Sequence, residues 1–415
     1  MRTSEVDTPS LARNRDFTLL WVGQGAAEIG FSASTLAFPL VVLALTGSAA
    51  ASGLVLAADA VAQAALALPG GALVDRWNRR RVMLACEIAQ VLALTSLVSA
   101  LLLGTAGVVH MAAVAAVLGG CRALFEPAED AILASLVPEE QLATAVATNS
   151  ARSSVGQMAG TALGGVLFSV TRWAPFLLDL LTHMFAFTTL LFVRAPARET
   201  TRAPMRHLGR EIGEGLRWLW QRREIRMTTG CAVALNLFFA AYYLVVVVLA
   251  QRRGTPAGEI GVMAAMLGVG GVLGALFAPW LHRRLTPHVA IAGVFWALAA
   301  LSPLAVLIDS GYLLGVLFAL MALLAPTANT TIITHQLLLT PDELRGRLSG
   351  TLNVAVGAAA AAGPALGGLL AQAATPTTAV LICAVGMTIA ALAVTVNPTL
   401  RHYPGRSTER EELTP

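Results

Sequence analysis

Apolar residues along this chain are gathered into blocks longer than a soluble surface helix uses, and polar residues fall almost entirely in the gaps between them. Twelve blocks can be drawn, at about 17–43, 51–72, 81–104, 110–134, 143–168, 173–193, 227–250, 259–281, 287–308, 312–336, 347–372 and 377–396. A helix needs about 20 mostly apolar residues to cross roughly 30 Å of hydrocarbon. Ala, Leu, Val and Gly fill the blocks without the alternation over about 10 residues that marks barrel strands. The pattern predicts an all-α membrane protein with twelve transmembrane helices.

The gap at 71–81 reads Gly-Ala-Leu-Val-Asp-Arg-Trp-Asn-Arg-Arg-Arg, a polar hairpin clamped between two apolar blocks. Shifting the chain by 203 residues lays Gly71, Ala72, Leu73, Trp77, Arg80 and Arg81 on Gly274, Ala275, Leu276, Trp280, Arg283 and Arg284. The same offset carries Pro138 and Glu140 onto Pro341 and Glu343, and Gly160, Gly164 and Gly165 onto Gly363, Gly367 and Gly368. One offset serving three distant segments points to two parallel, pseudo-symmetric six-helix halves, an arrangement described for secondary transporters. The expected organisation is a tail at 1–16, one half at 17–194, a central loop at 195–226, a second half at 227–398 and a tail at 399–415. Within the loop, 211–220 predicts an amphipathic helix in the interface plane.

Charge changes the picture by fixing orientation. Charged residues make up 13% of the 415 positions, against about 25% in soluble domains. Every one of the 28 basic residues is Arg, and 23 of them fall on the side of the chain's first residue. By the positive-inside rule both termini are cytoplasmic, in a multi-pass cell (inner) membrane protein. The first block, about 27 residues after Arg13 and Arg15, exceeds the 7–15 residue core of a cleaved leader and is expected to be a retained helix. The absence of Lys removes a Walker-type phosphate loop and a Schiff-base cofactor. Cys86, Cys121, Cys231 and Cys383 show no metal or disulfide spacing. No HExxH, GxSG or HxxxxD occurs, so neither catalysis, cofactor, metal nor nucleic acid is expected. An intramembrane enzyme and a receptor are the rival readings.

Twelve blocks in two repeated halves, with Gly71-x-Leu73-x-Asp75-Arg76-x-x-Arg79-Arg80 between blocks 2 and 3, resemble the major facilitator superfamily. Phe125-Glu126-Pro127-Ala128, Leu136-Val137-Pro138-Glu139 and 211–220 are similar to its branch of macrolide-efflux and siderophore-export carriers. The resemblance implies a secondary active transporter. Its two halves would rock about a midplane site, exchanging proton entry for exit of a hydrophobic drug-like or secondary-metabolite solute, and it would function as a monomer. Export of a siderophore or lipid, and uptake of a small solute, are the alternatives. It also implies that Gly71, Leu73, Asp75, Arg76, Arg79 and Arg80 form a cytoplasmic gate. Asn78 stands where the family often has Gly, a position expected to tolerate a left-handed backbone. The second-half copy has Ala278 in place of Asp75. Antiporters of the family carry a Pro in the block-5 glycine run; here Thr161 takes that place and Pro364 keeps it in the second half, which leaves the direction of transport open.

Individual polar residues within the blocks mark candidate sites, because charge at membrane depth is costly and tends to be functional. Gln24, Glu28, Ser32 and Thr35 recur at helical spacing and predict one polar stripe facing a cavity. Glu28 is the first candidate for proton coupling, since a carboxyl that holds and releases a proton is what coupling requires, and similar antiporters use an acid in this helix. A structural acid is the alternative. Asp59, with Gln63 four residues on, and Asp179, with His183 four residues on, are further candidates for proton coupling or local pairing. Glu87 and Gln90 are expected to brace the inner gate. Arg122, Glu126, Glu129 and Asp130 in block 4, with Arg152 in block 5, predict an ion-pair network. Gly156, Gly160, Gly164, Gly363 and Gly367 predict close helix packing. Asn236, Phe239, Tyr243, Asn329 and Asn353 are the second half's candidate cavity groups, suited to a bulky apolar solute.

Overall fold

The computed structural model describes residues 11–74, 77–194, 217, 220–338, 340 and 342–401. Asp75 and Arg76, most of the predicted interfacial helix at 211–220, and the side chains of Leu73 and Asn353 lie outside the described residues. The described chain is helical, with no strand. Its main helices are α1 (Arg15–Thr46), α2 (Ala49–Val74), α3 (Arg79–Leu102), α4 (Val108–Leu136), α5 (Glu139–Val170), α6 (Ala174–Phe192), α7 (Arg223–Arg252), α8 (Ala257–Arg284), α9 (Pro287–Leu301), α10a (Gly311–Ala322), α10b (Ala325–Leu338), α11 (Asp342–Ala373) and α12 (Pro376–Val396).

Eleven described helical segments are long and apolar enough to cross a membrane. The twelfth predicted block is α5, which at 32 residues has ample length but is too polar to qualify. Its Asn149, Arg152, Ser153, Ser154 and Gln157 line internal cavities rather than facing lipid. Two predicted blocks are not uniform helices. Block 9 finishes as a 3-10 turn over Ser302–Leu307, where Pro303 removes a backbone donor. Block 10 breaks into α10a and α10b just before Pro326. Leu92, Val109, Leu276, Leu307 and Ile389 are exposed around the outside, as an apolar belt requires.

Local chemistry sets the helix ends. Asn14 Oδ1 accepts from Phe17 N to cap α1, which Gly47 closes at φ 67° in the left-handed region. Asn78 is extended (φ −65°, ψ 110°), not left-handed as expected, and its side chain accepts from Arg81 N. It is the N-cap of α3, where a short polar acceptor satisfies an otherwise orphaned amide. Asn therefore serves here for its oxygen rather than its backbone freedom.

In the first half α1 packs on α5 and α6, α2 on α4, and α3 on α4 and α6; in the second α7 packs on α11 and α12, α8 on α10a, and α9 on α12. The halves meet through α2 with α11 and α5 with α8. The paired glycines explain both layers. A Cβ at Gly164 would strike Ala33 of α1, and one at Gly367 would strike Ala241 of α7, each within its own half. A Cβ at the next residue, Gly165 or Gly368, would strike Gly261 of α8 or Gly53 of α2, each across to the other half. Adjacent residues point about 100° apart on a helix, so one glycine pair seats two neighbours.

These cross-half contacts lie at one end of the bundle. The start of α1 and Arg79, Arg80, Arg81, Arg222, Arg223, Arg226, Arg283 and Arg284 define a basic face. Gly53, Gly165, Gly261 and Gly368 lie toward the opposite face. Near them Gln372 Oε1 accepts from Ala49 N at 3.0 Å, and Gln251 Nε2 donates to Leu40 O at 3.2 Å. The halves are thus sealed together at the end remote from the basic face.

Candidate functional site

Beneath that seal lies a cavity of about 800 Å³, walled by both halves. Drug-sized ligand sites span roughly 300–1,000 Å³. The first half contributes Glu28, Ser32, Thr35, Asp59, Gln63 and Arg122; the second contributes Leu235, Asn236, Phe239, Tyr243, Met321 and Asn329. The cavity is therefore two-sided in charge, with Glu28, Asp59 and Arg122 on the first-half wall and an uncharged second-half wall of aromatic, aliphatic and amide groups. Phe318 supports the Tyr243 ring, with centroids 5.9 Å apart. Asn236 donates to Ala232 O of its own helix at 2.9 Å, which leaves its amide oxygen as the cavity acceptor.

A second cavity, of about 230 Å³, adjoins the first on the basic-face side. Glu28, Phe31 and Arg122 line both and form the partition. Arg122 is the pivot. Its Nε reaches Glu126 Oε1 at 2.7 Å, its Nη2 lies 3.6 Å from Glu28 Oε2, and its guanidinium sits 4.6 Å over the Phe31 ring. The i, i+4 pairing of Arg122 with Glu126 follows from helix geometry. The reach to Glu28 needs Gly156, because a Cβ there would strike the Glu28 side chain.

Arg152 pairs with Glu129 at 2.8 Å, and both are buried. Asp130 and Glu126 on the same helix are exposed toward the basic face. On the other wall Glu87 is bound twice. Gln24 Nε2 donates to its Oε1 at 3.2 Å, and His183 Nδ1 meets its Oε2 at 2.7 Å. His183 Nε2 then lies 3.4 Å from Asp179 Oδ1. Glu87 is expected at the inner gate; the structure places it among Gln24, Gln90 and His183 in the bundle interior.

The remaining predicted residues fall as follows. Asp59 packs against α4 at Gly119, where a Cβ would come within 2.7 Å of its Oδ1. The polar stripe of α1 divides, with Gln24 in the small cavity, Ser32 and Thr35 in the large one, and Glu28 in both. Arg79 Nη1 donates to Ala131 O at 3.4 Å, and Arg80 donates to Leu190 O and Leu191 O at 3.2 and 2.5 Å, closing the last turn of α6. Gly156, Gly160 and Gly164 seat α5 on α1, and Gly363 and Gly367 seat α11 on α7.

Two features carry no sequence signal. The Glu87–His183 contact joins residues 96 apart, and Gly53 and Gly261, each four residues after an alanine (Ala49, Ala257), are not related by the 203-residue offset. The doubled glycines Gly164–Gly165 and Gly367–Gly368 are visible in the sequence, but their second packing direction is not.

With this geometry established, comparison with known proteins is informative. Residues 8–410 match the family model described as transmembrane secretion effector. The multidrug efflux pump Tap of Mycolicibacterium fortuitum is 27% identical over 380 residues, covering 84% of this chain and 87% of that protein. Macrolide efflux protein A of Streptococcus pyogenes is 25% identical over 305 residues, covering 69% and 73%. Among solved structures, a bacterial homologue of the human lysosomal transporter Spinster, inward-facing and unoccupied, superposes with a TM-score of 0.72 at 17% identity, covering 94% of this chain and 97% of that one. The nucleoside transporter NupG superposes with a TM-score of 0.74 at 13% identity, covering 94% and 100%. At these identities the structural matches speak for the fold alone.

Proposed function

This chain belongs to the transmembrane secretion effector family of major facilitator transporters, and from that premise we propose that it exports a bulky lipophilic solute in exchange for protons. The observation that carries the reading is the two-sided cavity of about 800 Å³ at the interface of the halves. Its volume and its Phe239–Tyr243 wall suit a drug-like or secondary-metabolite molecule, and its amides and carboxylates suit that molecule's polar groups. The curated relatives named as multidrug and macrolide efflux proteins support the same substrate class. Glu28, Asp59 and Asp179 are carboxyl groups at membrane depth, the chemistry that proton coupling requires. One chain encloses the whole cavity, which supports a monomer as the working unit.

The basic face is the cytoplasmic one in this reading, and both termini are cytoplasmic with it. The seal by Gly53, Gly165, Gly261 and Gly368 then closes the outer side, and the cavity communicates with the cytoplasm, where it loads. Arg79 and Arg80, bound to carbonyls at the ends of α4 and α6, belong to the gate that must close when the seal opens. The test is proton movement in inside-out vesicles holding a preset pH gradient, wild type against Glu28→Gln, as a panel of lipophilic drugs that includes a macrolide is added. Drug-triggered proton movement in the wild type is expected. Drug movement that is indifferent to the pH gradient would remove antiport.

A further inference from the structure

Of the three carboxylates that line the small cavity without being exposed, half-buried Glu28 has Arg122 at 3.6 Å and buried Glu129 has Arg152 at 2.8 Å. Glu87 is the exception. It shares a single imidazole with Asp179, and the three side chains are nearly sealed from solvent: Glu87 is 1% exposed, His183 4% and Asp179 0%. The groups facing this cluster come from three helices. α1 supplies Gln24, Glu28 and Ser34, α3 supplies Cys86 and Gln90, and α4 supplies Cys121. None is a cation, so His183 is the only group among these that can balance two carboxylates.

The contacts restrict the protonation states. His183 turns one ring nitrogen to each carboxyl, Nδ1 at 2.7 Å and Nε2 at 3.4 Å. A neutral imidazole carries one N–H and presents a lone pair on its other side. With both carboxyls ionised, that lone pair would face an anion with no proton between them, and two uncompensated charges would be buried. The arrangement therefore favours at least one proton beyond a neutral imidazole. With exactly one extra it has a net charge of −1; a second proton, on a carboxyl, makes it neutral. Both Asp179 oxygens and His183 Nε2 are buried without a hydrogen-bond partner meeting full geometry, so the 3.4 Å approach of Nε2 to Oδ1 is a close contact rather than a formed hydrogen bond. A buried carboxyl without such a bond is best accommodated un-ionised. Buried charge that changes by one on gaining or losing a proton is what ties proton occupancy to conformation.

Location supplies a route. Glu87 and His183 line the small cavity on the basic-face side. Asp179 lies one turn further from that face, against Gly30 of α1, where a Cβ would strike its Oδ1 at 2.9 Å. We propose that Glu87, His183 and Asp179 are the proton-exchanging site, one proton passing from Asp179 through the imidazole to Glu87 and out through the small cavity. The proposal rests on the antiport reading above and assigns Glu28 and Arg122 to the partition rather than to proton carriage.

The experiment uses the full-length protein in proteoliposomes with erythromycin as the probe, reading proton movement with an internal dye and erythromycin exchange with radiolabel. Asp179→Asn and Glu87→Gln are expected to lose erythromycin-triggered proton movement while erythromycin exchange persists, and Asp179→Glu to regain it. Persistence of exchange also shows that the variants fold. Proton movement surviving in both Asn and Gln variants overturns the triad and leaves antiport standing. Erythromycin exchange without proton movement in the wild type overturns antiport and the triad together. A drug-free measurement stands beside these: infrared difference spectra between acidic and alkaline buffer. A protonated-carboxyl band present in the wild type and missing from Asp179→Asn is expected; identical spectra in wild type, Asp179→Asn and Glu87→Gln overturn the triad whatever the probe does.

Discussion

Gly165→Ala tests the seal between the halves with the smallest possible perturbation. A Cβ placed on Gly165 would lie 2.5 Å from Ala257 O, 2.5 Å from Gly261 Cα and 2.7 Å from Gly261 N. Carbon contacts prefer about 3.5–4.0 Å, and all three atoms are backbone, so no side chain can swing aside. Helices α5 and α8 must separate by about 1 Å. Overpacking of this kind costs roughly 1–3 kcal/mol, and the cost falls only on the conformation in which the two helices touch. A differential of about 1–3 kcal/mol shifts a two-state equilibrium by roughly 5–150-fold, here away from the sealed form. Arg172, in the turn after α5, and Arg252, the last residue of α7, are exposed beside this contact. Spin labels at both positions, read by pulsed electron–electron resonance, should show the long-distance population rise in Gly165→Ala. Gly261→Ala, whose Cβ would meet Gly165 Cα at 2.8 Å, should do the same. A distance distribution identical to that of the parent protein would refute the claim that this contact sets the closed state.

Three further outcomes follow from the same geometry. Gln372→Ala and Gln251→Ala each remove one cross-half hydrogen bond, worth about 1 kcal/mol. In the same spin-label assay each should move the equilibrium about five-fold in the direction of Gly165→Ala, and their effects should add because they share no partner. Arg152→Ala leaves Glu129 buried without its partner and should cost about 3–5 kcal/mol, seen as a fall in the melting temperature in detergent; Arg152→Met with Glu129→Leu should recover most of the loss, and a double variant no more stable than Arg152→Ala would count against the pair's role. Phe239→Ala and Tyr243→Ala strip the aromatic wall of the large cavity. Losing about 1.5–3 kcal/mol of apolar contact should raise the apparent KM for a lipophilic drug by about ten-fold or more, and an unchanged KM would place the drug elsewhere.

The sequence by itself determined the class of the fold, its duplication and the residues worth suspecting. Block length and the lack of alternation specify membrane helices, because the hydrocarbon thickness dictates both. The offset of 203 residues exposes the two halves, because a repeated structural unit keeps its glycines and turns where backbones must approach or bend. Glu28, Glu87, Arg122, Arg152, Asp179 and His183 stand out singly, because a charge at that depth needs a reason. Local interactions were legible as well, as in Arg122 with Glu126, since helix geometry alone brings i and i+4 together. What the tertiary structure decided was partnership. Glu129 rather than Glu126 takes Arg152, Glu28 takes Arg122, and Glu87 takes His183 from a helix 96 residues away. Packing between helices sets those pairs, and no periodicity within one helix encodes its neighbour's register. The same holds for Gly165 and Gly368, whose second packing direction acquires meaning only once α8 and α2 lie across from them.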